Sequence, residues 1–493
     1  MANATSPEEV KGIPIPAEGT PEFEKMNKMA KIAIPFVLII FTFGVLQMQA
    51  FGMIFVNIGD QLGQPHLASL ITSLPGIVLG IVCVIYGSLG DFLSLKRMMI
   101  YGTLVFVLGS ILGFVLGGQG VWWVVAARVL QSAGWQVSGS VFLVLVSKYI
   151  KKSNRVIYYG IFVAVFRFAA ALGVLLAGYV SLIDWRWLFI VPVISLAFIP
   201  VLARTLPSQT FKGARVDWVG FTLIGLLAAA ITMYFTNMNW LWALAAVVAL
   251  IAFSVYISKA KDPFITPKFF KNPAFVLVMT VIFVGYFFSY TLNAGVNAIG
   301  TNVFGLDSAQ VSNLLVWSII LAAAVGFISG FIIRKIGRSA AIIMALAFMG
   351  IGLLAVAFLI PFGPIWALAI APCLYYFGTS FFYSPIVDSA TLTVAPEESG
   401  RVLGFNDLIQ ALTGSIGVAV FGGMMASGSM SGGSLFGTEA GPASTYANIF
   451  MIGGLIVLGA MVIWIASKKL IYRNSRIDDE GQTVGSEGGI VEI

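Results

Sequence analysis

Charge is scarce in this chain. Of its 493 residues only 10% are charged, against 59% hydrophobic. A soluble chain carries about a quarter charged residues, so an ordinary soluble domain is excluded. Histidine occurs once, as His66, and a lone imidazole argues against a His-built metal centre; no metal and no cofactor is expected. The two cysteines, Cys83 and Cys373, fall inside apolar runs. They read as small core residues, with no disulfide between them. No G-x-x-x-x-G-K-[ST] phosphate loop occurs, which excludes a P-loop ATPase. No cluster of His, Cys and acids suits catalysis, so an enzyme is not expected. The alternating ten-residue segments of a membrane β-barrel are missing as well. The first residues lack the basic and apolar regions of a cleaved signal peptide.

Long apolar runs take the place of these features. Many exceed the roughly 18–20 residues that a bilayer-spanning helix needs, and fourteen spans are counted. They cover 32–58, 67–90, 98–117, 121–147, 156–181, 187–203, 217–236, 239–258, 273–299, 310–333, 340–360, 365–388, 402–426 and 447–467. Lipid cannot satisfy a free backbone, so each run is read as a helix. Basic residues collect in alternate loops: Lys96 and Arg97 after span 2, Lys148 to Arg155 after span 4, Arg334 to Arg338 after span 10. The opposite loops hold essentially Arg186 alone. This asymmetry places the basic loops, and with an even span count both termini, in the cytoplasm. The same bias argues against nucleic acid as the reason for the net charge of +7.

The segment after span 2, GSLGDFLSLKRMMIYG, has a weak echo after span 10, GFIIRKIGRSA. Two related halves eight spans apart suggest six spans, an inserted pair, and six more, and internal repeats of this kind mark transporters. The division expected is a disordered tail 1–31, a bundle 32–203, a hairpin with linkers 204–272, a bundle 273–467 and a tail 468–493. GSLGDFLSLKR resembles the loop motif G-x-L-x-D-x-x-G-x-K/R-R of the major facilitator superfamily, with Ser94 where glycine is usual. RVLQSAG is similar to the superfamily's span-4 motif, and KDPFITPKFFKNPAF resembles its fourteen-span branch of drug:proton antiporters, tetracycline exporters included. The resemblance covers about 30–470. It implies an all-α, 14-helix major-facilitator fold, arranged 6 + 2 + 6, acting by alternating access. It also implies that Asp91, with Lys96 and Arg97, latches one face of the cycle. The alternative for Lys96 and Arg97 is a pure topology signal.

Two departures qualify the antiporter resemblance. Span 5 reads LGVLLAG where exporters carry a Gly-Pro motif, with Val174 in place of the proline. In addition, none of the 21 acids lies near the middle of a span. Asp407, about 8 Å into span 13, and Asp388 are the remaining candidates to carry a coupling proton. Span 1 offers only the uncharged Gln47 and Gln49.

The cations behave in the opposite way. Arg167, within VAVFRFAAALG, lies about 16 Å deep in span 5, where insertion of a cation costs at least about 2.5–3.5 kcal/mol. Its helical stripe is otherwise small: Gly160, Ala164, Ala171, Val174 and Gly178, so Arg167 faces the protein. On span 4, Arg128, Gln131, Ser132, Trp135 and Ser138 form a second stripe. Span 9 carries Tyr286, Tyr290, Asn293 and Asn297, and span 12 carries Tyr376, Ser380 and Tyr383. These stripes serve either as helix–helix glue or as the wall of a binding cavity. Arg167 either caps carbonyls or pairs with Asp407 or Asp388, or it supplies positive charge for an anion. The expectation is a membrane-embedded monomer that moves an amphipathic organic anion of bile-acid type with protons, or with Na+. Bile-acid uptake proteins belong to the resemblance group. Drug:proton antiport is the alternative.

Overall fold

A computed structural model describes residues 20–89, 94–207, 216–261, 263–394, 399–428, 430–472, 483–484 and 490–491. Fourteen of its helices are long and apolar enough to span a membrane. The first six are α1 (Pro21–Gln61), α2 (Pro65–Tyr86), α3 (Leu95–Gln119), α4 (Val121–Tyr149), α5 (Ile157–Ser181) and α6 (Trp185–Thr205). Two more follow, α7 (Trp218–Asn237) and α8 (Trp240–Lys259). The last six are α9 (Pro273–Asn302), α10 (Ser308–Ile336), α11 (Arg338–Phe362), α12 (Ile365–Leu392), α13 (Arg401–Ser427) and α14 (Pro442–Tyr472). The only strands among the described residues are a two-residue antiparallel pair, Thr483–Val484 with Ile490–Val491, in the C-terminal tail.

Local chemistry sets the helix ends. Thr20 caps α1, its hydroxyl accepting from the Phe23 amide at 3.2 Å, with Pro21 at the first helical position and Glu22 and Glu24 in the first turn. This is a complete start signal. It corrects the expectation of a disordered tail to residue 31. Helix begins at 21, because Phe23 and Ala30 are buried and the Asn27 side chain donates to the Tyr149 carbonyl at 2.8 Å. Asp307 and Gln310 form a reciprocal capping box at the start of α10. Asp184 caps α6 through the Arg186 amide at 2.9 Å, and the Arg186 guanidinium beside it holds its carboxyl below the usual range.

Three helices are irregular. α6 is wound tightly as a 3-10 helix over Trp185–Phe198. α12 opens with a π turn over Ile365–Ile370. α9 is interrupted between Tyr286 and Thr291. Such departures recur at functional positions.

The first six helices pack on one another through α1, α4 and their neighbours. The last six do so around α11, α12 and α14. Two seams join the groups, α2 with α13 and α5 with α10, and α1 also meets the second part of α9. Small residues let these helices approach closely. Gly80 lies against Ala411, and Gly178 against the Ser308 carbonyl. Lipid tails are as apolar as leucine, so close contact of this kind holds membrane helices together. α7 packs on both α2 and α13 and so covers that seam, while α8 lies outermost with most of its surface exposed.

Candidate functional site

Five residues singled out by the sequence meet where α1, α5, α9 and α12 converge. Asn293 of α9 is the hub. Its side-chain amide donates to Gln49 Oε1 of α1 at 3.2 Å, and its Oδ1 accepts from the Tyr376 hydroxyl of α12 at 2.5 Å. Arg167 of α5 lies within electrostatic reach of Tyr376 and Tyr286. Gly173 explains how α5 comes so near: a Cβ there would meet the Leu46 carbonyl at 2.6 Å and the Gln49 Cβ at 3.0 Å. The break in α9 immediately precedes Thr291. It separates the turn carrying Tyr286 from the turn carrying Asn293.

Arg167 is half-buried. Among the described residues it makes no hydrogen bond and no ion pair. Neither acid proposed to meet it does so. Asp388 is held by Arg338 at the start of α11. Asp407 Oδ1 accepts from the Asn406 amide at 3.0 Å and from the Tyr383 hydroxyl at 3.3 Å. Tyr286 lies within electrostatic reach of both Arg167 and Asp407, and of Tyr383. Tyr290 sits in the other seam, its ring beside Gly76 of α2 and Gly414 of α13.

The span-4 stripe goes elsewhere. Arg128 is 3% exposed, packed inside the first group of helices. Its Nη1 donates to Gln131 Oε1 at 2.8 Å, and its guanidinium lies 4.7 Å from the Phe51 ring centre. Gln131 in turn donates to Ser110 Oγ of α3 at 2.8 Å. Trp135 packs against Phe41 and the Gly44 backbone of α1. These residues join α1, α3 and α4 and stand apart from the Asn293 cluster. Gln47 also turns away, donating to the Leu188 carbonyl of α6. Two residues along a helix is a rotation of about 200°, so Gln47 and Gln49 must face opposite sides.

Ser94 caps α3 through the Arg97 amide at 3.4 Å, and the Lys96 amide donates to the Pro207 carbonyl at 3.2 Å. Asp91, their expected partner in a latch, lies outside the described residues. Two polar contacts between the groups escaped the sequence reading. Asn297 donates to Asn57 Oδ1 of α1 at 2.7 Å, and Tyr179 of α5 bonds to Asn313 of α10 at 2.9 Å. Asn57 had a signal, since a polar side chain inside an apolar run is conspicuous.

The model of the Major Facilitator Superfamily matches residues 37–418. An uncharacterized MFS-type transporter of Mycobacterium tuberculosis is 26% identical over 259 residues, spanning 48% of this chain but only 37% of that protein. Multidrug resistance protein 3 of Bacillus subtilis is 23% identical over 356 residues, 69% of this chain and 68% of that protein. A crystal structure of a peptide transporter POT in complex with sulfate superposes with a TM-score of 0.65 at 15% identity, covering 90% of this chain and 95% of that one. The likeness to that structure is one of fold. With fourteen spanning helices and a family match over most of its length, this chain is a multi-pass membrane protein that belongs to the Major Facilitator Superfamily.

Proposed function

We propose that the protein is a secondary active transporter that moves an amphipathic organic anion of bile-acid type across the cytoplasmic membrane, coupled to protons, with both termini in the cytoplasm. The observation that carries this reading is Arg167. It is a cation deep in a membrane helix, without an ion-pair partner among the described residues and within electrostatic reach of Tyr376 and Tyr286. A guanidinium in low dielectric gains most from a carboxylate or sulfonate, which its planar fork matches. Tyr286 and Tyr376 add flat apolar faces and hydroxyls for a rigid amphipathic body.

Asp407 is assigned the proton. Its carboxylate already accepts from Tyr383, and it shares Tyr286 as a neighbour with Arg167. Protonation of Asp407 then alters the field felt by the anion site through one intervening ring. Proton symport would bring an anion inward against an inside-negative potential.

Drug:proton antiport remains the second reading, favoured by the multidrug names of relatives in Bacillus subtilis. Uptake by proteoliposomes of radiolabelled cholate, beside a cationic dye and with or without a pH gradient, separates the two. We expect gradient-driven cholate uptake that falls at least tenfold in Arg167→Ala, recovers in part in Arg167→Lys, and loses its gradient dependence in Asp407→Asn. Dye expulsion without cholate movement would overturn the anion reading. Unchanged cholate affinity in both Arg167 variants, with lowered thermal stability, would make Arg167 a structural cap.

A further inference from the structure

The inserted pair α7–α8 touches both helix groups, and its two attachments differ in kind. On the α13 side α7 is held near both of its ends. Near its start, Phe221 stacks on Phe264 of the linker at 4.5 Å between ring centres, and Phe264 lies 6.3 Å from Phe405 of α13. Phe270 and Phe275 close around the same Phe405 ring, at 6.3 and 6.0 Å. Asp217 ties this linker to both helices of the pair, accepting from the Gly220 and Phe264 amides and from the Tyr256 hydroxyl. Near the end of α7, the Phe235 carbonyl lies so close to α13 that a Cβ at Gly423 would meet it at 3.0 Å. About 21 Å of helix separates these two anchor points. The attachment to α2 is of another sort. There a Cβ at Gly225 of α7 would meet Ile81 Cδ1 at 2.7 Å, the free end of a flexible side chain rather than backbone. The α2–α13 seam that α7 covers is polar in part. The Tyr290 ring sits there beside Gly76 and Gly414, and Cys83 of α2 lies within electrostatic reach of Asp407 and Tyr290.

We propose that α7 and α8 move as one body with the second helix group, and that α2 slides along α7 when the two groups change their relative tilt. This rests on the reading of the chain as an alternating-access transporter and goes further, because it assigns the inserted pair to one moving half. A helix in contact with two bodies that move relative to each other must slip on one of them. Slip costs least where the contact is a side-chain end on a glycine, because an isoleucine can change rotamer as it passes. It costs most where rings interlock and backbone meets backbone, since packed surfaces of that kind have discrete arrangements rather than a continuum. A cover that stays on α13 also keeps lipid out of the seam while α2 shifts beneath it. Polar side chains facing hydrocarbon are expensive, and Asp407, the acid assigned the proton, lies on the helix that α7 covers.

The test places spin labels on exposed sites of the full-length protein in phosphatidylcholine nanodiscs, with Cys83 and Cys373 replaced by serine. Trp218→Cys marks α7, Tyr101→Cys marks α3 of the first group and Ile465→Cys marks α14 of the second, at positions 59%, 66% and 46% exposed. Pulsed electron resonance reads the three pairwise distances in acid and in alkaline buffer, with and without cholate. We expect the 101–465 distance, which reports the motion of the groups, to change by more than about 5 Å, one helical turn. The 218–101 distance should change with it, and the 218–465 distance should hold within about 2 Å. A 218–465 distance that changes along with 101–465 overturns the proposal and leaves alternating access standing. A 101–465 distance fixed under every condition removes alternating access, and the proposal with it. Cross-linking gives a second measurement. Joining Ile81→Cys to Gly225→Cys with a short cleavable reagent should cut cholate uptake by more than about nine-tenths, reversed on reduction, since the tether pins one state. Joining Phe235→Cys to Gly423→Cys should leave uptake at the level of the same variant without the link. Unchanged uptake with α2 tied to α7, or a block with α13 tied to α7, overturns the proposal.

Discussion

Arg128 and Arg167 are both arginines inside spanning helices, and their surroundings give them different work. Arg128 is enclosed by Phe51 and Gln131, and its Nε has no partner among the described residues. Burying a cation that is not fully satisfied costs free energy, which a close apolar replacement of similar length avoids. We expect Arg128→Met to fold about as well as the native chain. Arg128→Ala should lose roughly 2–4 kcal/mol through the cavity it leaves, read as a lowered midpoint of thermal unfolding in detergent. If Lys restores stability and Met does not, charge rather than packing is what the site needs. The sequence showed both arginines inside apolar spans. It could not show that Arg128 faces its own helix group, because helical spacing says which residues share a face but not which neighbour that face meets.

At the scale of elements, one carboxylate ties α7, α8 and the linker to α9. Asp217 caps α7 through the Gly220 amide at 2.8 Å, accepts from the Tyr256 hydroxyl of α8 at 2.5 Å, and accepts from the Phe264 amide in the linker to α9 at 2.9 Å. Phe264 stacks on Phe221 at 4.5 Å, and the linker reaches α13 through Phe405. Loss of a cap alone is worth about 1 kcal/mol, and the two further bonds add to it. We expect Asp217→Ala to speed tryptic cleavage at Lys259 and Lys261 about tenfold, a change of roughly 1.4 kcal/mol in local opening. Unchanged cleavage would show that ring packing alone holds the linker. The fourteen helices and most of their ends were legible beforehand because apolar length is a local signal. The break in α9 and the tight winding of α6 were not; the α9 break lies where the Phe287 carbonyl comes so close to α13 that a Cβ at Gly417 would overlap it.

Across the molecule, three hydrogen-bonded side-chain pairs among the described residues tie the two helix groups: Gln49–Asn293, Asn57–Asn297 and Tyr179–Asn313. All lie in the half of the helices far from the basic loops. If transport proceeds by alternating access, these contacts must open and close in each cycle. Asn57→Cys with Asn297→Cys, in a background where the free Cys83 and Cys373 are replaced by serine, should cross-link with a short bifunctional reagent. Uptake should then fall by more than about nine-tenths and return when a cleavable reagent is reduced, since a covalent tether pins one of the two states. Full transport by the cross-linked protein would mean that this end stays shut throughout the cycle.

The sequence by itself determined that the chain lives in a membrane, how many times it crosses, and that a cation is buried without an acid near it along the chain. Those are consequences of apolar length and of charge inventory, and lipid leaves the backbone no choice but helix. Only the tertiary structure decided which polar residues meet. It placed Gln49, Asn293, Tyr376 and Tyr286 near Arg167, sent Gln47, Gln131 and Arg128 into the packing of the first helix group, and gave Asp388 to Arg338. Those pairings join residues up to 244 positions apart, and at that separation the rotation and crossing of packed helices, which no local pattern encodes, choose the partner.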